Sequence, residues 1–316
     1  MCEGSYGNGN ASLGLYLPKQ DTVYTDIFKD NNAGKQLGDV FQSMIQMGNQ
    51  YVLCINNSDR VLVLDANMKW LKTIAVSKPR YIVPLNNQQM LVSSLFNNKI
   101  YVVNIERGAI DATLPLPARN AEGMLRLNNS IYVAPWDTAN NKVYVLDAAQ
   151  QFFVDSLTGL GFAPSELLLD RDSMIWILSG NVAMGKPAMF TRINPKTKQI
   201  LKSLAFNSGF DVVRPCLNIA GDSLYFIEVN YSGSTSNNGI FRMSIHATDL
   251  PLNPFVAATA GQYFWALGIS PFTGDIYIGD PRGFTQKSLV SVYKSDGTLK
   301  HQFNVGTGIG HFYFSK

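Results

Sequence analysis

Cysteine, histidine and charge are all scarce in this sequence. Three cysteines (Cys2, Cys54 and Cys216) and three histidines (His246, His301 and His311) are spread over 316 residues. None forms a CxxC pair or a Cys/His ligand spacing, so neither a disulfide framework nor a structural zinc site is expected. Cys54 and Cys216 lie inside apolar runs and read as buried thiols acting as small hydrophobes. Cys2 could in principle carry a lipid, but no hydrophobic segment stands before it and it reads as an ordinary residue. Charged residues make up only 16% of the chain, against roughly 25% in typical soluble domains. The net charge is +3, and no Lys/Arg run is dense enough to track a phosphate backbone, so nucleic acid is not an expected partner.

Long apolar runs are missing too. Nothing approaches the roughly 18 residues that span a bilayer, and the N-terminus lacks a basic segment followed by an apolar one. Catalytic signatures are equally thin: there is no GxSxG elbow, no HExxH and no Gly-rich phosphate loop. Without a nucleophile–base pair the chain is expected to be non-catalytic, with no cofactor and no bound metal.

What the sequence does contain is short β-branched and aromatic runs divided by Asn, Asp, Ser, Gly and Pro clusters, the pattern of an antiparallel meander. The stretch 49–74 holds three such runs and the remainder repeats it. Third-strand segments fall at 13–17, 60–65, 99–105, 142–147, 188–194, 239–245 and 288–293. Their mean spacing is about 46 residues, which suits four-stranded propeller blades. Helical periodicity is absent from these segments. The expectation is an all-β chain in which residues 1–316 form a single seven-bladed β-propeller of four-stranded antiparallel blades.

With strands named A to D from the axis outwards, innermost strands are expected at 41–47, 81–85, 123–127, 166–169, 216–219, 265–269 and 311–314. The last has no strands after it, while 13–17 and 23–28 look like C and D strands lacking an A. The ring should therefore close by pairing the C-terminal strand with the N-terminal strands, removing exposed edges.

The A–B and C–D links are tight and rich in turn residues. The B–C and D–A links are longer and emerge together on the opposite face. That face collects side chains which solvated loops rarely need, and variable loops on a rigid scaffold are where binding resides. The expected ligand-binding residues are Tyr6, Arg80, Phe96, Trp136, Arg214, Tyr231, Tyr263 and Phe284. Asp39, Glu122, Glu166 and Asp211 stand near the starts of A strands and could serve a hard cation if they converged. Pairing with Arg80, Arg126 or Arg214 around the mouth is the favoured reading of them.

Three runs, residues 3–13 (EGSYGNGNASL), 35–44 (KQLGDVFQSM) and 78–82 (KPRYI), with the final GHFYF at 310–314, resemble a family of YncE-like seven-bladed propellers exported by Bacteroidetes, typically as surface lipoproteins. Some members of that family sit beside a TonB-dependent outer-membrane transporter and capture cobalamin or related corrinoids. The resemblance thus implies a cell-surface, outer-membrane lipoprotein that captures a corrinoid for such a transporter and is otherwise monomeric. The alternatives are a lactonase-like or lyase-like propeller enzyme using a channel cation, or a surface scaffold that binds protein or glycan.

Overall fold

A computed structural model of the chain describes residues 1–207, 209–230 and 238–315. The β-branched runs pair with their sequence neighbours into six four-stranded antiparallel sheets, each ordered A-B-C-D. The six A strands are Phe41–Met47, Pro79–Pro84, Ala121–Leu127, Pro164–Leu169, Asp211–Leu217 and Ala266–Ile269. Successive A strands touch one another around a central axis, so they line a channel and the D strands face outwards. This is a β-propeller, and its blades are numbered 1 to 6 below in chain order.

Among the described residues the apolar side chains gather into clusters that each bridge two neighbouring sectors. Val52, Val61 and Val63 of blade 1 meet Ile82, Met90 and Val92 of blade 2. Trp176 and Phe190 of blade 4 meet Phe226 and Phe241 of blade 5, with the Phe190 and Phe226 rings 5.3 Å apart. Burying large side chains between the blades, each contributing about 1.5–3 kcal/mol, is what holds neighbouring blades together. Two further clusters join blade 6 to Cys2 and Ile309, and blade 1 to Leu13 and Phe28.

The expectation of seven complete four-stranded blades is corrected here: the described residues contain six, plus a two-stranded sheet of Leu15–Leu17 with Thr22–Tyr24. Between blades 6 and 1 the two ends of the chain meet. The Met1 ammonium donates to the His311 carbonyl at 2.9 Å, and Cys2 forms isolated bridges to both Ile309 and Ser12. Residues 311–314, expected as an A strand, form no strand: beyond His311, whose N–H donates to the Met1 carbonyl, they make no backbone–backbone hydrogen bond. The expected D strand at 23–28 stops at Tyr24. Asp26 then caps a helix at Ile27–Asn31, accepting from the Lys29 N–H at 3.2 Å.

Cys54 is buried as expected, Cys216 only partly so, and all three thiols are free. Cys2 is fully buried between Ser12 and Ile309, an ordinary core position.

Candidate functional site

Each of the first five A strands carries a β-bulge close to its channel-mouth end. The register slips at Gln42 in blade 1, at Arg80 and Tyr81 in blade 2, and at Glu122 and Gly123 in blade 3. It slips again at Ser165 in blade 4, and at Arg214 and Pro215 in blade 5. A bulge leaves a residue unpaired and re-aims its side chain. In four consecutive blades the residue just before strand A is also left-handed: Val40 (φ 58°), Lys78 (φ 42°), Asn120 (φ 60°) and Ala163 (φ 54°). The carbonyl of each of the first three accepts the N–H of the residue that follows strand B, Asn56, Leu95 and Trp136 respectively, and the Ala163 carbonyl accepts that of Gly180, near the end of strand B in blade 4. None of these four is glycine, and Val40 is β-branched, so the conformation is imposed by the surrounding bonds.

The bulged side chains converge on a cavity of about 220 Å³ at the axial mouth, lined also by Glu3, Trp136, Glu166, Asp211 and Trp265. Arg80 Nε donates to Glu122 Oε2 at 2.8 Å, and its Nη atoms reach Glu122 Oε1 and Gln42 Oε1. Gln42 Nε2 donates to the Tyr81 hydroxyl at 3.3 Å, and that hydroxyl donates to Glu166 Oε1 at 3.2 Å. Across the axis Arg214 Nη2 donates to Glu3 Oε1 at 3.0 Å, and the same oxygen accepts from Trp265 Nε1 at 3.3 Å. The Arg214 guanidinium lies 5.3 Å from the Trp265 ring centroid. Every blade and the N-terminal segment contribute a lining residue.

Burial dominates the electrostatics here. It pushes the Glu166 carboxyl up to about 7, partly opposed by Arg214. Burial also raises Tyr81 and holds the His311 imidazole well below its ordinary range. For Arg80 burial works against the cation, yet Glu122 beside it outweighs that and lifts its pKa. His311, placed near the channel from sequence, stands edge-on to Tyr81 with centroids 6.5 Å apart, and its Nε2 has no hydrogen-bond partner among the described residues.

The eight residues expected to bind ligand are distributed unevenly. Arg80, Trp136 and Arg214 line the cavity, and Trp136 Nε1 is anchored on the Gly180 carbonyl at 2.9 Å. Tyr263 and Phe284 stand beside it, with ring centroids 6.1 Å and 6.0 Å from Trp265. Burial lifts the Tyr263 hydroxyl to about 12. Tyr6 and Phe96 lie outside the cavity and are 80% and 68% exposed. Ser5 Oγ donates to the Phe284 carbonyl, holding the Tyr6 loop against the Phe284 loop. Phe96 N–H donates to Asn120 Oδ1 at 2.8 Å, and Asn120 Nδ2 donates to the Trp136 carbonyl at 3.3 Å. Tyr231 lies outside the described residues.

Of the four carboxylates weighed for a cation, Glu122 pairs with Arg80 and Glu166 accepts from Tyr81. Asp39 accepts from the Gly7 N–H at 2.9 Å and from Asn57. Asp211 lines the cavity. No group of three or more His, Cys, Asp or Glu side chains is arranged to hold a metal ion among the described residues. Arg126 points away, donating to the Pro84 and Leu85 carbonyls at the far end of the A strand of blade 2.

Sequence reasoning missed Gln42, Tyr81, Trp265 and Glu3. The signal available was a polar or bulky residue at the same early position of successive apolar A strands. It is blurred because bulges shift the count by one or two residues from blade to blade.

The family profile described as "Domain of unknown function (DUF5074)" matches residues 1–315. The chain belongs to this family. No curated protein matches it. Among solved structures it is similar to the hydrazine synthase of Kuenenia stuttgartiensis, with a TM-score of 0.70 at 14% identity over 84% of this chain and 86% of that one. It is also similar to a quinonprotein alcohol dehydrogenase-like protein from Bacteroides thetaiotaomicron, with a TM-score of 0.70 at 16% identity over 96% of this chain and 76% of that one. At such identities the likeness is one of fold.

Proposed function

We propose that this DUF5074 propeller is a non-catalytic binding protein that takes its ligand at the axial mouth. The observation that carries this reading is the convergence of Arg80, Glu122, Tyr81, Glu166 and Arg214 from four blades on one small polar cavity. The cation–anion pairs within it are matched, and the aromatic rings of Trp136, Trp265 and Phe284 border it. Fixed, matched donors and acceptors suit recognition of neutral hydrogen-bonding groups such as amides. Reaction chemistry would need a base in reach of a nucleophile, and the hydroxyl nearest Glu166 is the phenol of Tyr81, whose pKa burial has raised.

The ligand class we favour is a corrinoid, the class implied by the likeness to YncE-like surface propellers. A cavity of 220 Å³ would admit one amide arm. The macrocycle would then rest across the rim on Trp136, Phe284 and Tyr6, where aromatic faces can stack. Cell-surface placement and hand-over to a TonB-dependent transporter belong to the same reading. So does a seven-sector ring in which residues 309–314, Met1–Glu3, Ser12–Leu17 and Thr22–Tyr24 make up the seventh blade. The backbone bonds between the chain ends support that arrangement.

Calorimetric titration with cobalamin and with cobinamide tests the proposal. A stoichiometric isotherm that weakens at least about tenfold in Trp136→Ala is expected, because a ring buried by a ligand typically contributes about 2 kcal/mol or more. A variant of Lys196, in a C–D turn on the opposite face, should bind unchanged. Flat isotherms for both corrinoids would remove the ligand assignment.

A further inference from the structure

Arg60, Arg80, Arg192 and Arg214 are the arginines that the fold withdraws from solvent, wholly or in part. Arg80 meets Glu122, Arg192 meets Asp170 and Asp172, and Arg214 meets Glu3. Arg60 meets no carboxylate among the described residues. Its Nη2 donates to the Leu37 carbonyl at 2.7 Å, and its buried Nε has no acceptor. Burial alone acts on its pKa, and lowers it. A cation drawn out of water without a counterion is destabilising, and an anion brought to it would offset that cost.

The guanidinium is held in place. A Cβ at Gly38 would come within 2.9 Å of Nη2, so the side chain packs directly on the backbone there. Arg60 lines a cavity of about 280 Å³ on the flank of blade 1, between its C and D strands and the helix Ile27–Asn31. Leu62, two residues along strand C, faces the same side. With Phe28 from the helix it makes an apolar floor, each residue being 3% exposed. At the rim stands Trp70, fixed on two sides: its backbone N–H donates to Asn32 Oδ1 at 2.7 Å and its Nε1 to Thr73 Oγ1 at 3.0 Å. Lys35 Nζ lies 3.8 Å from the centroid of that ring, and Lys35 too has no acid partner among the described residues.

We propose that this cavity is a second binding site, separate from the axial mouth, for a small aromatic carboxylate whose acid group is held by Arg60 and Lys35 and whose ring lies against Trp70. The two sites share no lining residue. A planar guanidinium matches a carboxylate in shape as well as charge. The contact of Lys35 with Trp70 is exposed and therefore weak, so its flexible stem can carry the ammonium to the acid group. The floor of Phe28 and Leu62 favours a ligand with an apolar body over a bare hydrated anion. The volume lies at the lower edge of the roughly 300–1,000 Å³ of ordinary small-molecule sites, which suits a single ring.

The test titrates the purified chain by calorimetry with benzoate, with benzamide as the same ring without charge, and with acetate and inorganic phosphate as charge without a ring. Benzoate should bind one-to-one and at least about tenfold more tightly than the others, because it alone offers both a charge-assisted bond and a ring to stack. In two-dimensional NMR it should shift the indole N–H signal of Trp70 and leave those of Trp136 and Trp265 at the mouth unmoved. Arg60→Met should weaken benzoate at least about tenfold, and Lys35→Met at least about threefold. Lys35 is exposed, so its variant decides the matter even if Arg60→Met fails to fold. Unchanged affinity in Lys35→Met, or in a folded Arg60→Met, would overturn the proposal. So would no benzoate binding, or equal affinity for benzamide, acetate or phosphate. Shifts at Trp136 or Trp265 without one at Trp70 would also overturn it, by placing the anion at the mouth.

Discussion

Arg80, bulged out of the A strand of blade 2, grips Glu122, bulged out of the A strand of blade 3, through a two-pronged contact whose Nε–Oε2 arm measures 2.8 Å. The two side chains are only 15% and 6% exposed. Two adjacent blades are thus joined at the axis by a nearly buried ion pair, with Gln42 of blade 1 bonded to the same guanidinium.

Breaking that pair on one side should cost more than removing it whole. Glu122→Leu leaves a buried guanidinium with one neutral partner, and a loss of about 3–5 kcal/mol is expected from urea unfolding. The double variant Arg80→Met with Glu122→Leu should recover most of that loss, because neither charge is then stranded. A double variant as unstable as the single one would show that the pair acts through shape and not through charge.

The blade pattern was legible in the sequence because it rests on local physics. β-branched runs such as Val61–Leu64 and turns such as Lys294–Thr298 declare themselves within a few residues. The gathering of Arg80, Trp136 and Arg214 on one face was legible too, since long B–C and D–A loops could emerge only together. The residues lining the cavity were harder to find. Tyr81 and Gln42 sit inside strands and are re-aimed by bulges, which depend on left-handed residues such as Val40 and Lys78 that no propensity flags. The orphaned ends of the chain were legible, but the expected A strand at 311–314 was not corrected by anything local. These residues have strand-like composition, yet a strand exists only where a neighbour pairs with it.

Glycine at position 123 is required by packing and not by its dihedral angles. A Cβ built there would lie 2.4 Å from the Ser165 carbonyl oxygen of the next A strand. Gly123→Ala should therefore push blades 3 and 4 apart at the mouth and cost about 1–3 kcal/mol. Because Gly123 follows Glu122 in the bulge, mouth ligand binding should weaken in parallel. Unchanged melting and binding would mean that the A strands can separate freely.

Residues 310–316 should matter to the whole fold. The Gly310 N–H and the His311 carbonyl hold Met1, while Phe312 and Phe314 pack on Tyr277 at 5.7 Å and 5.3 Å between centroids. Deleting these residues uncovers the ends of blades 6 and 1 together. A loss of several kcal/mol, a large share of the stability of an ordinary domain, is expected in thermal or denaturant unfolding. An unchanged melting temperature would show that blades 1 to 6 stand without them.

Glu166 should make stability depend on pH in an unusual direction. Its carboxyl is raised from 4.5 to about 7 in the folded chain, mainly by burial. Between those values the folded protein holds a proton that the unfolded chain has released. Stability linked to this group is therefore fully present below about pH 4.5 and is lost as pH rises through about 7, amounting to a few kcal/mol. Other carboxylates, including Glu228 at about 6, titrate in the same window, so the informative quantity is the difference between wild type and Glu166→Gln. The glutamine keeps an acceptor for the Tyr81 hydroxyl and cannot ionise. The two proteins should unfold at nearly the same denaturant concentration at pH 4.5, and the variant should be the more stable at pH 8. A difference that does not change with pH would place the Glu166 pKa near its ordinary value and remove the buried neutral acid from the mouth.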